Sequence, residues 1–147
     1  MNVAYNTNLE IQMADVEAID AIDDYKVKLY RAAQMYVRVG FYVIPLRPGS
    51  KALFGTGPHY GMETNSIKKV EEWFHPDRGK FAGANIGLVA GREGGAFFID
   101  VDSKGNGEER FMKILAGVGE DVPPNVPTQS TPTGGKHYVY HWHEGLV

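Results

Sequence analysis

The chain has 147 residues, 43% of them hydrophobic and 12% aromatic, a formal net charge of −3 and no cysteine. That is enough apolar material for one domain with its own core, and it excludes a disulfide framework, a thiolate nucleophile and a cysteine zinc site. A negative balance offers no global attraction to nucleic acid, so any contact with phosphates must come from local lysines and arginines or from bound cations.

Residues 1–15 are polar and unpatterned, and we expect a flexible N-terminal segment there ahead of a domain over 16–147. Met1 to Asn8 lacks the charged and greasy composition of a signal, and the longest apolar stretches fall well short of the ~20 residues that span a bilayer. A cytoplasmic location without membrane partners is expected. Ile19, Ile22, Leu29, Ala33 and Tyr36 recur at helical spacing, which predicts one long amphipathic helix ending near Gly40. Phe41-Tyr-Val-Ile44 is β-branched and aromatic and reads as a short strand closed by Pro45. Arg47-Pro-Gly-Ser-Lys51 follows as a turn, and the glycine-rich stretch to Gly61 predicts a long irregular loop, a place where function often sits.

Asn65 or Ser66 is suited to cap a helix with Ile67, Val70, Trp73 and Phe74 on its apolar face, ended by His75-Pro76. Asn85 to Ala90 and Ala96 to Val101 are apolar runs separated by Gly91-Arg-Glu-Gly-Gly95, which predicts a hairpin. Phe111, Ile114 and Leu115 define a helix closed by Gly117; Pro123, Pro124 and Pro127 then force an extended connection. Lys136 to His143 alternates as the last strand, with Tyr138, Tyr140 and Trp142 on one face and His137, Val139, His141 and His143 on the other. The order α, β, α, β, β, α, β, β predicts an α+β domain with helices packed on a mostly antiparallel sheet. The chain stops four residues after His143, so a domain truncated at its C-terminus is expected.

Asp100 and Asp102 are the most informative residues. Alternation along a strand sends Phe97, Ile99 and Val101 toward a core and both aspartates to the other side. Two neighbouring carboxylates suit a hard cation such as Mg²⁺, which takes one or two protein carboxylates together with substrate phosphates. Aspartate also suits the turn at a strand end, and that plain reading stands beside the metal reading. An EF-hand does not fit, because Lys104 and Phe111 occupy its fifth and twelfth positions.

Thr131-Pro-Thr-Gly-Gly-Lys-His137 is the second constellation: Gly134 and Gly135 expose backbone N–H groups to an approaching phosphate, and Lys136 and His137 add donors. An ordinary glycine turn into the last strand is the alternative. It is not a P-loop, since Ser130 stands where the first glycine belongs. Gly55-Thr-Gly57 fails as a dinucleotide fingerprint at Tyr60. His137, His141 and His143 share a strand face and could gather a transition metal with Asp100 or Asp102, although such histidines are more often surface residues. Arg47 and Lys51 are either solvated turn residues or a basic loop near a phosphate site.

In this order, Gly40-Phe-Tyr-Val-Ile-Pro-Leu46, Pro48-Gly-Ser-Lys51, Val70-Glu-Glu-Trp-Phe74, Asn85-Ile-Gly-Leu-Val-Ala-Gly91, Phe98-Ile-Asp-Val-Asp-Ser103 and Thr131-Pro-Thr-Gly-Gly-Lys-His137 resemble the bifunctional DNA primase-polymerase (prim-pol) domain of the archaeo-eukaryotic primase superfamily. The resemblance implies a core like an RNA-recognition-motif sheet and a DNA primase/polymerase that joins dNTP or NTP on a DNA template. It implies that Asp100 and Asp102 hold divalent metals, Mg²⁺ or Mn²⁺, that His137 contacts the nucleotide's phosphates, and that Thr131, Gly134, Gly135 and Lys136 belong to the nucleotide pocket. Lys51 and Asn85 match recurrent family positions near the nucleotide. Family members carry a third carboxylate beyond the Gly-Gly-x-His motif, where this sequence ends, and usually form the front of a replication protein of a mobile element, often with a helicase. Two alternatives remain: a noncatalytic nucleotide- or DNA-binding remnant, and a metal-dependent phosphohydrolase or nuclease using the same carboxylates with His141 or His143.

Overall fold

The computed structural model describes residues 11–55, 62–91, 93–120, 128–131, 133–142 and 144. Residues 1–10, 56–61, 92, 121–127, 132, 143 and 145–147 lie outside them, so the part of the expected loop at 56–61 and the expected proline-rich connection are not among the described residues. The architecture is α+β, in the order α1 (Met13–Asp20), α2 (Tyr25–Arg38), β1 (Val43–Leu46), α3 (Ile67–Phe74), β2 (Asn85–Leu88), β3 (Ala96–Val101), α4 (Gly107–Gly117), β4 (Thr128–Ser130) and β5 (Lys136–His141). Every ladder is antiparallel: β1 pairs with β2, and β3, β5 and β4 form a three-stranded sheet in that order. The chain divides into two compact units, Met1–Gly95 and Ala96–Val147. Among the described residues no helix is long and apolar enough to cross a membrane.

In the first unit the single long helix expected from spacing is two helices. Asp24 is extended (φ −70°, ψ 113°), and its carboxylate accepts the N–H groups of Lys26 and Val27 at 2.9 and 3.1 Å. An aspartate that caps so well starts a new helix, even where hydrophobic periodicity reads straight through. Ala33 and Val37 of α2 meet Val43, Val70, Trp73, Phe74 and Ala84 in the core. Ser66 caps α3 by accepting the Lys69 N–H at 3.4 Å, and His75, held extended before Pro76, ends it. Full burial of a side chain such as Val70 or Phe74 contributes roughly 1.5–3 kcal/mol.

Pro45 was expected to close the first strand but lies inside β1, opposite Ile86. Its neighbour in phase, Val43, exchanges both backbone bonds with Thr64 on the side away from β2. A proline in that phase has no N–H facing β2, so the ladder loses no rung. The expected hairpin of β2 with β3 is not a ladder either. The turn is closed by the Gly95 N–H donating to the Gly91 carbonyl at 2.9 Å, while Tyr42, ahead of β1, accepts the Val89 N–H and donates to the Gly94 carbonyl.

In the second unit α4 packs on the sheet through Phe111, whose ring lies 5.3 Å from that of Tyr138. Between β3 and α4 the chain reverses at Gly105 (φ 64°) and Asn106 (φ 58°), two residues in the left-handed region that glycine and asparagine tolerate best. A side chain at Gly107 would bring its Cβ to 1.9 Å from the Asp102 carbonyl oxygen, so a glycine is required where α4 starts.

Candidate active site

Opposed residues of an antiparallel pair share a face. In the β3–β5 register Asp100 lies opposite His137, and His137 Nε2 stands 3.4 Å from Asp100 Oδ1. When the imidazole is protonated this is an ion pair. Asp100 is 71% exposed and His137 34% exposed, so both remain open to a ligand. The Phe98 ring meets the imidazole edge-on at 6.4 Å and walls one side of it.

The turn into β5 is built by Thr131. Its carbonyl accepts the Gly134 N–H at 3.0 Å and its Oγ1 accepts the Gly135 N–H at 2.9 Å. These are the amide groups that the sequence led us to expect free for a phosphate; the structure directs them inward. The two glycines serve geometry: Gly134 has φ 87°, and a Cβ on Gly135 would lie 2.7 Å from the Val101 carbonyl oxygen. Ser103 Oγ donates to the Thr133 carbonyl at 2.7 Å and fastens this turn to the segment leaving β3.

A cleft of about 270 Å³ opens beside that junction, and Asp102, Glu108, Glu109, Gly134, Gly135 and Lys136 line it. Asp102 lies one residue past β3, and its Oδ1 accepts the Lys104 N–H at 3.0 Å in an Asx turn. Lys136 is opposite Val101 on the face away from His137, and its Nζ contacts Glu108 Oε1 at 2.6 Å. Hydrogen bonding to Glu108, aided by its charge, raises the Lys136 pKa and keeps the ammonium charged. Asp102, Gly134, Gly135 and Lys136 are thus brought together in the cleft, while Asp100 and His137 pair across β3 and β5 and are not among its lining residues. Glu108, Glu109, Ser103 and Gly107 were not singled out from the sequence. The available signal was Gly107-Glu-Glu109 directly after the aspartates, two acids in the first turn of a helix.

Lys51 and Asn85 belong to the first unit. Lys51 is exposed in the turn after β1. Asn85, the first residue of β2, donates from Nδ2 to the Ser50 carbonyl at 3.0 Å and accepts the Ile86 N–H on Oδ1 at 3.1 Å.

A family model described as bifunctional DNA primase/polymerase, N-terminal, matches residues 32–146. The chain belongs to this family. Comparisons with curated proteins and with solved structures give no match. Membership gives the prim-pol domain a role related to DNA priming and polymerisation, with nucleotide and DNA template as the family's ligands.

The donor set of this prim-pol domain suits a hard cation in kind. Asp100 and Asp102 are exposed oxygen donors, and Mg²⁺ is commonly held by one or two carboxylates plus phosphate oxygens. Among the described residues no three His, Cys, Asp or Glu side chains gather into a metal cage. The histidine cluster drawn from strand alternation is therefore not formed there: His137 and His141 are four residues apart on one strand, about 13 Å, and His143 is outside the described residues.

Proposed function

We propose that this prim-pol domain is a metal-dependent nucleotidyltransferase that joins nucleotides on a DNA template, with Asp100 and Asp102 as metal ligands and His137 at the nucleotide's phosphates. The observation that carries the reading is the cross-strand placement of His137 against Asp100 at 3.4 Å, in a segment that also contributes Asp102 to a cleft holding Lys136. Mg²⁺ or Mn²⁺ held by the two carboxylates would neutralise phosphate charge and make a sugar hydroxyl easier to deprotonate.

The residues of the chain have separate tasks. The His137 imidazole, set beside Asp100 by the strand register, would donate to a phosphate oxygen whose charge grows in the transition state. Lys136 supplies a positive charge beside Asp102 in the cleft. In the reaction a hydroxyl oxygen bonds to the α-phosphorus, the bond from that phosphorus to the bridging oxygen breaks, and pyrophosphate leaves with its electron pair while the hydroxyl proton passes to water. Phe98 limits the directions from which the imidazole can be approached.

Asp102→Asn is the informative variant. Asparagine retains an acceptor for the Lys104 N–H and so keeps the Asx turn, but it removes the charge a cation needs. Purified protein should extend a primer or prime on a DNA template with dNTPs and Mg²⁺ or Mn²⁺, and both Asp100→Asn and Asp102→Asn should fall to background. Absence of Asp102-dependent pyrophosphate release from the wild-type protein would overturn the enzymatic reading. A second reading, nucleotide binding without turnover, is favoured by the lack of a third acidic or imidazole donor among the described residues. It would be distinguished by saturable dNTP binding with no product.

A further inference from the structure

Within the first unit, α1 and α2 leave a cavity of about 670 Å³ between them. α1 has no buried residue, and Ile19 and, just past the helix, Ile22 line this opening half-buried. Met35 of α2 and Val39 at its end complete an apolar wall. The two helices are tied where Lys28 Nζ donates to the Asp20 carbonyl at 3.1 Å.

The polar part of the lining comes from one face of α2. Arg31, Gln34 and Arg38 recur at i, i+3 and i+7, so they stand in a row over two turns, about 10 Å. Arg31 Nη1 donates to Gln34 Oε1 at 3.2 Å, which makes the other end of that amide the NH₂ group. Gln34 is only 8% exposed, and among the described residues its NH₂ group has no hydrogen-bond partner. A buried donor without an acceptor is costly, so a ligand oxygen is favoured beside it. Against the two arginines the lining sets the single carboxylate of Asp15, which leaves one positive charge in excess.

We propose that this cavity binds an amphiphilic carboxylate, a small molecule with an apolar body and one anionic head. The body would rest on Ile19, Ile22, Met35 and Val39, and the head would accept from Arg31, Gln34 and Arg38. Cavities of roughly 300–1,000 Å³ with apolar walls and a few convergent polar groups are the usual form of small-molecule sites. A planar carboxylate matches the guanidinium fork, and its single charge balances the excess; a phosphate monoester, at about −1.5 to −2, exceeds it. Met35, flexible and polarizable, lets the wall adapt to bodies of different shape. The site goes beyond the proposed reaction and shares no residue with it.

Octanoate is the probe and octanol its uncharged counterpart, each titrated into the full chain and followed by amide NMR. Octanoate should saturate with a Kd on the order of 0.1–1 mM and shift the amides of α1 and of Arg31 to Val39. Octanol should bind about tenfold more weakly or worse. Arg38→Gln, at an exposed position, should weaken octanoate by about tenfold and leave octanol unchanged. Ala18→Trp fills the cavity from an exposed position on α1 and should abolish binding of both, with a melting curve to show that it folds. If it fails to fold, Arg38→Gln alone decides. Octanol binding as tightly as octanoate, equal losses of both in Arg38→Gln, octanoate retained by folded Ala18→Trp, or no saturation with wild type would each overturn the proposal.

Discussion

Asp100 and His137 face each other across the β3–β5 ladder with His137 Nε2 3.4 Å from Asp100 Oδ1. Strand register sets this relationship, so it persists through side-chain rearrangement and gives the imidazole a fixed acidic neighbour. A preorganised donor aimed at developing charge is worth roughly 10²–10³ in rate when removed. His137→Ala should therefore lower kcat for nucleotide incorporation by about a hundredfold or more. Thermal unfolding should move little, because His137 is partly exposed. Steady-state kinetics on a primed template, paired with a melting curve, checks both halves; an unchanged kcat would remove His137 from the reaction.

The adjacent glycines Gly134 and Gly135 should respond to alanine in opposite order to their exposure. Gly135→Ala meets a backbone carbonyl at 2.7 Å and Thr131 Oγ1 at 3.0 Å, neither of which yields easily, whereas Gly134→Ala meets Ser103 Cβ at an ordinary 3.8 Å and suffers from its positive φ. Overpacking costs about 1–3 kcal/mol and a left-handed residue about 1–2 kcal/mol. Urea unfolding should rank Gly135→Ala as the less stable variant. Equal midpoints would mean that β3 and the Thr131 turn are not so closely apposed.

Asp24 sets where α2 begins. Asp24→Ala removes the acceptor for the Lys26 and Val27 N–H groups and should cost about 1 kcal/mol, within the usual range for a lost cap. Asp24→Asn or Asp24→Ser should restore most of it, since both cap nearly as well. Equilibrium unfolding of the three variants tests this. No recovery in the serine variant would mean that the helix start is fixed by something other than the cap.

The elements were legible where one local signal dominated. Ser66, Val70, Trp73, Phe74 and Pro76 together define α3 from cap to stop, and Phe111 through Gly117 marks the body and end of α4. The alternation in β5 correctly separated His137 from Tyr138. Legibility failed where distant backbone groups decide: Tyr42 bonds to Val89 and to Gly94, and Pro45 is tolerated only because of the phase Val43 shares with Thr64. At the candidate site the sequence supplied Asp100, Asp102, Gly134, Gly135, Lys136 and His137. It did not reveal that the glycine amides turn inward onto Thr131, or that Glu108 reaches Lys136 from a helix whose first turn looked like an ordinary acidic one.

The Glu108–Lys136 contact predicts a competition. Glu108 Oε1 stands 2.6 Å from Lys136 Nζ in the cleft, where a phosphate oxygen would make the same charge-assisted bond. A phosphate reaching Lys136 must displace a carboxylate that already faces it. Glu108→Gln removes the competing charge; the Lys136 pKa, raised by Glu108, then relaxes downward toward its ordinary value and still leaves an ammonium at neutral pH. The variant should therefore bind dNTP with Mg²⁺ more tightly, by a small factor of about two to five, as befits a solvent-exposed pair. The gain should shrink as salt is raised from 0.05 to ~0.5 M, because screening weakens the contact that was removed. Weaker binding by Glu108→Gln at low salt would reverse the assignment and make Glu108 a contributor to the ligand site instead of its rival.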